Sequence, residues 1–165
     1  MDGFAKTLRL GLEAISLLLL TALLLVVVAA VGARYTGHVF IWYDELASIL
    51  LAWLTYFGAA LAALKRGHLG FDNAMRALPP TLRRAGFVLA EAVTIGFFLA
   101  LGWGGWALLD VLVGETLVSL PSVPSSAVQS AIPIGAALFV LAEALSMPEA
   151  WRRYGQEAAL EEGHL

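Results

Sequence analysis

Four long apolar runs, separated by short polar segments, set the plan of the chain. They extend from about Leu10 to Ala33, from Ile41 to Leu64, from about Ala85 to Val113 and from about Ser125 to Met147. An α-helix needs about 20 apolar residues to cross roughly 30 Å of hydrocarbon, and each run is long enough. In lipid only helices or a closed barrel satisfy the backbone. The pattern therefore predicts an all-α membrane protein, one domain of four transmembrane helices over residues 1–165.

The second run is the most informative. Asp44 and Glu45 stand at its head, the 19 residues from Leu46 to Leu64 carry no charge, and Lys65-Arg66-Gly67-His68 closes it, with Asp72 just beyond. Glu45 and Arg66 lie 21 residues apart, about 32 Å along a helix axis, so they cannot pair with each other. Each needs a partner nearby or across an interface, because a partly buried unpaired charge is costly. His68 and Asp72, four residues apart, face each other if the segment after Gly67 is helical.

Between the second and third runs, Phe71, Met75 and Leu78 recur at i, i+4 and i+7, with Asp72 or Asn73 as a cap and Pro79-Pro80 as a stop. This spacing predicts a short helix lying in the membrane interface. In the third run Gly96, Ala100 and Gly104 recur every four residues, a small-residue stripe of the kind that lets helices approach closely. Trp103 and Trp106 sit towards its second end, as aromatic side chains do at a membrane boundary. Pro133 lies inside the fourth run and is expected to kink it; Ser146-Met147-Pro148 is expected to end it. The first run, mostly Leu and Val with few small residues, suits lipid.

Composition agrees. The chain has 165 residues, 60% hydrophobic and 14% charged, against about 25% charged in soluble domains. Its mean hydropathy is +0.82. There is no Cys, so disulfides and thiolate chemistry are excluded. The net charge of −3 becomes informative only when sorted by loop. Of the Lys and Arg residues, nine fall in the N-terminal segment, the second connection and the tail, and one, Arg34, in the first connection. The positive-inside rule then puts both termini in the cytoplasm and Asp44, Glu45 and Glu115 outside.

No spacing matches a zinc site, a P-loop or a dinucleotide fingerprint, so no catalytic or metal-binding residue is expected. Haem between helices needs inward-facing His, and His38 and His68 fall at opposite ends of the second span. Carboxylates within a membrane usually mean an ion path, a proton relay or an internal pair. Glu13, Glu45, Glu91, Asp110 and Glu143 all sit within about two turns of an expected boundary, which favours interfacial or paired roles over a path. No charge falls at the centre of a span.

The order of these features resembles the small membrane subunit of the TRAP (tripartite ATP-independent periplasmic) transporters. The likeness covers most of the chain: the acidic-aromatic opening around Trp42 and Glu45, Trp53 in mid-span, Arg66-Gly67-His68 with Asp72, Leu78-Pro79 followed by Arg83-Arg84, and Ile132-Pro133-Ile134-Gly135 in the last span. The chain departs from the family at Leu46, Ala47 and Ser48, where an Arg often follows the acidic pair.

The resemblance implies a small permease subunit in a bacterial inner membrane, a scaffold for a large membrane transport subunit. A periplasmic binding protein delivers a small organic acid, and a sodium gradient drives the symport. Sodium is expected in the large subunit, and neither a cofactor in this chain nor a nucleic-acid partner is expected. Asp44, Glu45, Trp53, Arg66, His68, Asp72, Gly96, Ala100, Gly104 and Pro133 are the candidates for interface or structural roles. The competing readings are a membrane anchor of a redox complex, which lacks mid-span His here, and a small self-sufficient exporter, which lacks a mid-span Glu.

Overall fold

The computed structural model describes residues 3–38, 40–65 and 80–162. Among them are five helices: α1 (Gly3–Tyr35), α2 (Tyr43–Leu64), α3 (Pro80–Val111), α4 (Ser125–Gln129) and α5 (Ala131–Glu162). The stretches Gly3–Tyr35, Tyr43–Leu64, Ala85–Val111 and Ser125–Pro148 are each long and apolar enough to cross a membrane. The expected interfacial helix around Phe71 to Leu78 lies outside the described residues.

Local chemistry explains where the helices begin and end. The α1 helix starts at Gly3, so the residues ahead of the apolar run at Leu10 form its first turns. It stops at Gly37, whose φ of 80° suits a residue without a Cβ. The Gly37 N–H donates to the Arg34 carbonyl and the His38 N–H to the Ala33 carbonyl, the paired bonds of a Schellman cap. Asp44 and Glu45 occupy the first turn of α2, where negative charge complements the helix dipole. Pro80 opens α3, a position at which its missing N–H removes no helix bond.

The two prolines of the last span play different parts. The kink expected at Pro133 takes the form of a short interruption at Ser130, between α4 and α5. A continuous helix would place the Pro133 ring against the Gln129 carbonyl, and Gln129 is where α4 ends. Pro133 itself falls in the first turn of α5, where N–H groups lack helical partners anyway. Pro148 ends the span as expected, the stretch able to cross being Ser125–Pro148, while α5 continues as a helix to Glu162. Beyond it the Trp151 ring meets Phe87 of α3 with centroids 6.0 Å apart, a contact that holds the continuing helix against α3.

The four long helices form a row rather than a closed ring. α1 packs on α2, α2 on α5 and α5 on α3, while α1 and α3 scarcely touch. Lipid tails are as apolar as Leu, so close backbone approach, more than hydrophobicity, drives such contacts. Small residues accordingly mark the crossings. Ala60, Ala63 and Ala142 are buried in one cluster with Leu12, Phe57 and Phe139. A Cβ on Gly135 would collide with the Tyr56 side chain, and one on Gly105 would fall 2.6 Å from Ile132 Cγ2 and 3.0 Å from Pro133 Cδ. Phe98 of α3 stacks on Phe139 of α5 at 3.6 Å between ring centroids.

Candidate functional site

The candidate residues fall into two groups: carboxylates at the ends of helices, and the face of α3 turned away from the row. Glu45 projects from the first turn of α2 to the connection between α3 and α4. One carboxylate oxygen accepts the Val118 N–H at 3.2 Å. The other accepts the Ser119 N–H at 2.8 Å and the Ser119 hydroxyl. Two successive backbone N–H groups converging on one carboxylate make a small anion-binding nest, and hydrogen bonds to an ionised acceptor are stronger than neutral ones. Glu45 thus hooks the third connection onto the second span.

At the other end of the helices, Glu13 of α1 accepts from Lys65 at 2.6 Å and from Arg9 at 3.1 Å. Lys65 follows α2, so this cluster ties α1 to α2. Arg34 reinforces the same pair at the opposite end, donating to the Tyr43 hydroxyl at 3.3 Å. Glu91 and Glu143 are buried, at 7% and 2% relative exposure. Glu91 borders a groove of about 460 Å³ between α3 and α5, bounded also by Phe87, Ile95, Gly96 and Met147. Asp110 and Asp44 are exposed. Among the described residues, no three His, Asp or Glu side chains converge as metal ligands would.

The structure separates the glycines of α3 into two faces. Successive residues step about 100° around a helix, which puts Gly96, Ala100 and Trp103 roughly half a turn from Phe98, Gly102 and Gly105. The second set meets α5: a Cβ on Gly102 would lie 3.3 Å from Ala136 Cβ. Gly96, Ala100 and Gly104 are exposed, and a Cβ on Gly96 or Gly104 would meet nothing within 4 Å. Among the described residues, the small-residue stripe singled out by spacing is thus not a point of close helix approach.

Of the other candidates, Trp53 is partly buried against the core cluster and stacks on Phe57 at 5.7 Å. Pro133 contacts the Gly105 backbone side of α3. Arg66, His68 and Asp72 lie outside the described residues. Sequence reasoning missed Ser119 as the partner of Glu45, because 74 residues separate them. It also missed Gly102, Gly105 and Gly135 as crossing points. The cluster of Gly102, Gly104 and Gly105 was visible, but the spacing of three between Gly102 and Gly105 fits a helix face as well as the spacing of four in Gly96, Ala100 and Gly104.

Comparison with known proteins places the chain. The family described as "Tripartite ATP-independent periplasmic transporters, DctQ component" matches residues 23–153, most of the chain. An uncharacterized protein of Sinorhizobium fredii (strain NBRC 101917 / NGR234), y4mM, is 30% identical over 122 residues, which are 73% of this chain and 22% of the relative. The chain thus spans about a fifth of the length of that relative. With four helices able to span a membrane, the chain belongs to the DctQ-component family of the tripartite ATP-independent periplasmic transporters, as a small permease subunit of such a transporter.

Proposed function

We propose that this subunit is a static scaffold for the large transport subunit of a sodium-driven, binding-protein-dependent importer of a small organic acid. Family membership supports a large permease subunit and a periplasmic binding protein as partners. The charge distribution in the sequence supports an inner-membrane topology with both termini cytoplasmic. Sodium and substrate are handled in the partner chains.

One observation carries the scaffold role. Glu13 and Glu45 join one element of the chain to another. A carboxylate held by Lys65, or by the Ser119 backbone and hydroxyl, is committed to structure and not to passing an ion. The partner surface is the outward face of α3. α1 exposes Leu17, Leu18, Leu24, Leu25 and Val28 to its surroundings, a bulky surface suited to lipid. The opposite flank of the row exposes Gly96, Ala100 and Gly104, and small residues are where membrane helices of different chains approach.

Gly104→Leu tests this reading, because the position is open within the chain. The variant should fold like the wild type alone, yet co-purify poorly with the large subunit and lose binding-protein-dependent uptake in proportion. Co-purification at the wild-type level would refute the assignment of this face.

A further inference from the structure

The connection from Leu112 to Pro124 is unusual for one that faces water. Leu112, Val113, Leu117, Val118, Leu120 and Val123 are six of its thirteen residues, and Glu115 is its one charge. Water-facing connections are normally polar. Part of its backbone is satisfied within the hairpin. Thr116 pairs with Pro124 as an isolated antiparallel bridge. The Leu117 N–H donates to the Val123 carbonyl at 3.1 Å, the Val123 N–H to the Leu120 carbonyl at 2.9 Å, and the Ser125 N–H to the Glu115 carbonyl at 2.9 Å. The Val118 and Ser119 N–H groups go to Glu45. Satisfying its own backbone groups is what a segment close to hydrocarbon must do.

The hook sets the height of this hairpin. Glu45 lies in the first turn of α2, so a segment bonded to it lies down at the level of the helix ends. Held there, Val118 is 94% exposed, and Val113 and Val111, where α3 runs into the hairpin, are 77% and 76% exposed. This apolar edge continues the exposed surface of α3, where Trp106 and Trp103 are 66% and 81% exposed. Exposed Trp at a helix end marks the membrane–water boundary.

We infer that the Leu112–Pro124 hairpin lies in the interfacial layer of the bilayer, pressed down by Glu45, with Val118 and Val113 facing lipid. In the chain without its large-subunit partner the occupant of this apolar edge is lipid, because the edge follows directly from α3, a helix able to cross the membrane. Glu115 at the neck stays in water.

The chain has no Cys, so single-cysteine variants report one site. Val118→Cys and Glu115→Cys carry a nitroxide label in the full chain, reconstituted in phosphatidylethanolamine–phosphatidylglycerol vesicles. Collisions with oxygen, which concentrates in hydrocarbon, are compared with those of a water-soluble nickel chelate. The label at 118 should collide several-fold more with oxygen than with nickel, and the label at 115 the reverse. Equal behaviour at the two positions would overturn the inference, since the hairpin would then stand in water. Shielding of 118 from both reagents would also overturn it, because protein and not lipid would cover the edge. Adding Glu45→Ala to Val118→Cys should raise nickel collisions several-fold; no change would show that the hook does not set the depth. Because the chain is reconstituted without the large subunit, the outcome depends only on the chain crossing a membrane, and it stands or falls separately from the scaffold reading.

Discussion

Gly104 and Gly105 are neighbours in sequence, and the same substitution should move stability in opposite directions at the two. In a helix interior Gly→Ala gains about 1 kcal/mol from backbone entropy and propensity. At Gly104 the new methyl meets nothing within 4 Å, so Gly104→Ala should stabilise the isolated chain by about 0.5–1 kcal/mol. At Gly105 the methyl would sit 2.6 Å from Ile132 Cγ2 and 3.0 Å from Pro133 Cδ. Neither neighbour is the loose end of a flexible side chain: one is a β-branched methyl, the other part of a ring. α3 and α5 must therefore move apart. Overpacking of this kind costs about 1–3 kcal/mol, which cancels or exceeds the propensity gain. Gly105→Ala should end about 0–2 kcal/mol less stable than the wild type. Reversible unfolding by sodium dodecyl sulfate in mixed micelles, followed by circular dichroism, measures both. Two variants within about 0.5 kcal/mol of each other, the scale of an ordinary surface substitution, would refute the assignment of the two faces.

Other expectations follow from the charges and the loops. Cysteines at Thr36 and Glu115, both exposed, should react with a membrane-impermeant reagent from the periplasm and a cysteine at Asn73 should not; the reverse pattern would invert the topology. Glu45→Ala should speed hydrogen exchange at the Val118 and Ser119 amides, whose acceptor it removes, and leave that of mid-α2 amides unchanged; unaltered exchange at 118 and 119 would mean that the hook does not hold in solution. Glu45→Ala and Arg66→Ala should each lower subunit association and uptake together without changing substrate preference. Full assembly with altered sodium coupling or selectivity would put those residues on the transport path.

The four spans were legible because a single physical constraint writes them. Hydrocarbon admits no unsatisfied backbone, so a span must be a helix of sufficient apolar length, and the runs of the sequence declare it. Boundaries were less legible where a helix outlasts the bilayer. α1 begins seven residues before the apolar run at Leu10, since a helix does not stop at the headgroups when its sequence can continue it. Pro148 was legible as the end of the span, Ser125–Pro148, and α5 outlasts it to Glu162, where Trp151 packs on Phe87.

The lateral order of the helices is where pattern runs out. In water a hydrophobic stripe identifies the buried face of a helix, because burial is what the stripe gains. In lipid both faces of α3 are apolar, and the exposed Leu89 and Val93 look no different in sequence from buried Phe87. What distinguishes the faces is the room for a Cβ. Gly102 and Gly105 are spaced three apart and Gly96, Ala100 and Gly104 four apart, and a helix accepts both. Only the fit of Ile132, Pro133 and Ala136 against the first pair decides which face α5 takes. Among the described residues the second stripe is not a point of close helix approach. Its small residues lie on the free flank of the row among the exposed Phe97 and Trp103, and under the proposed function they are where a helix of the large subunit would approach. Glu45 shows the converse. Its need for a partner could be argued from charge alone, but the partner is mostly backbone, and two N–H groups 73 and 74 residues away carry no mark in the sequence.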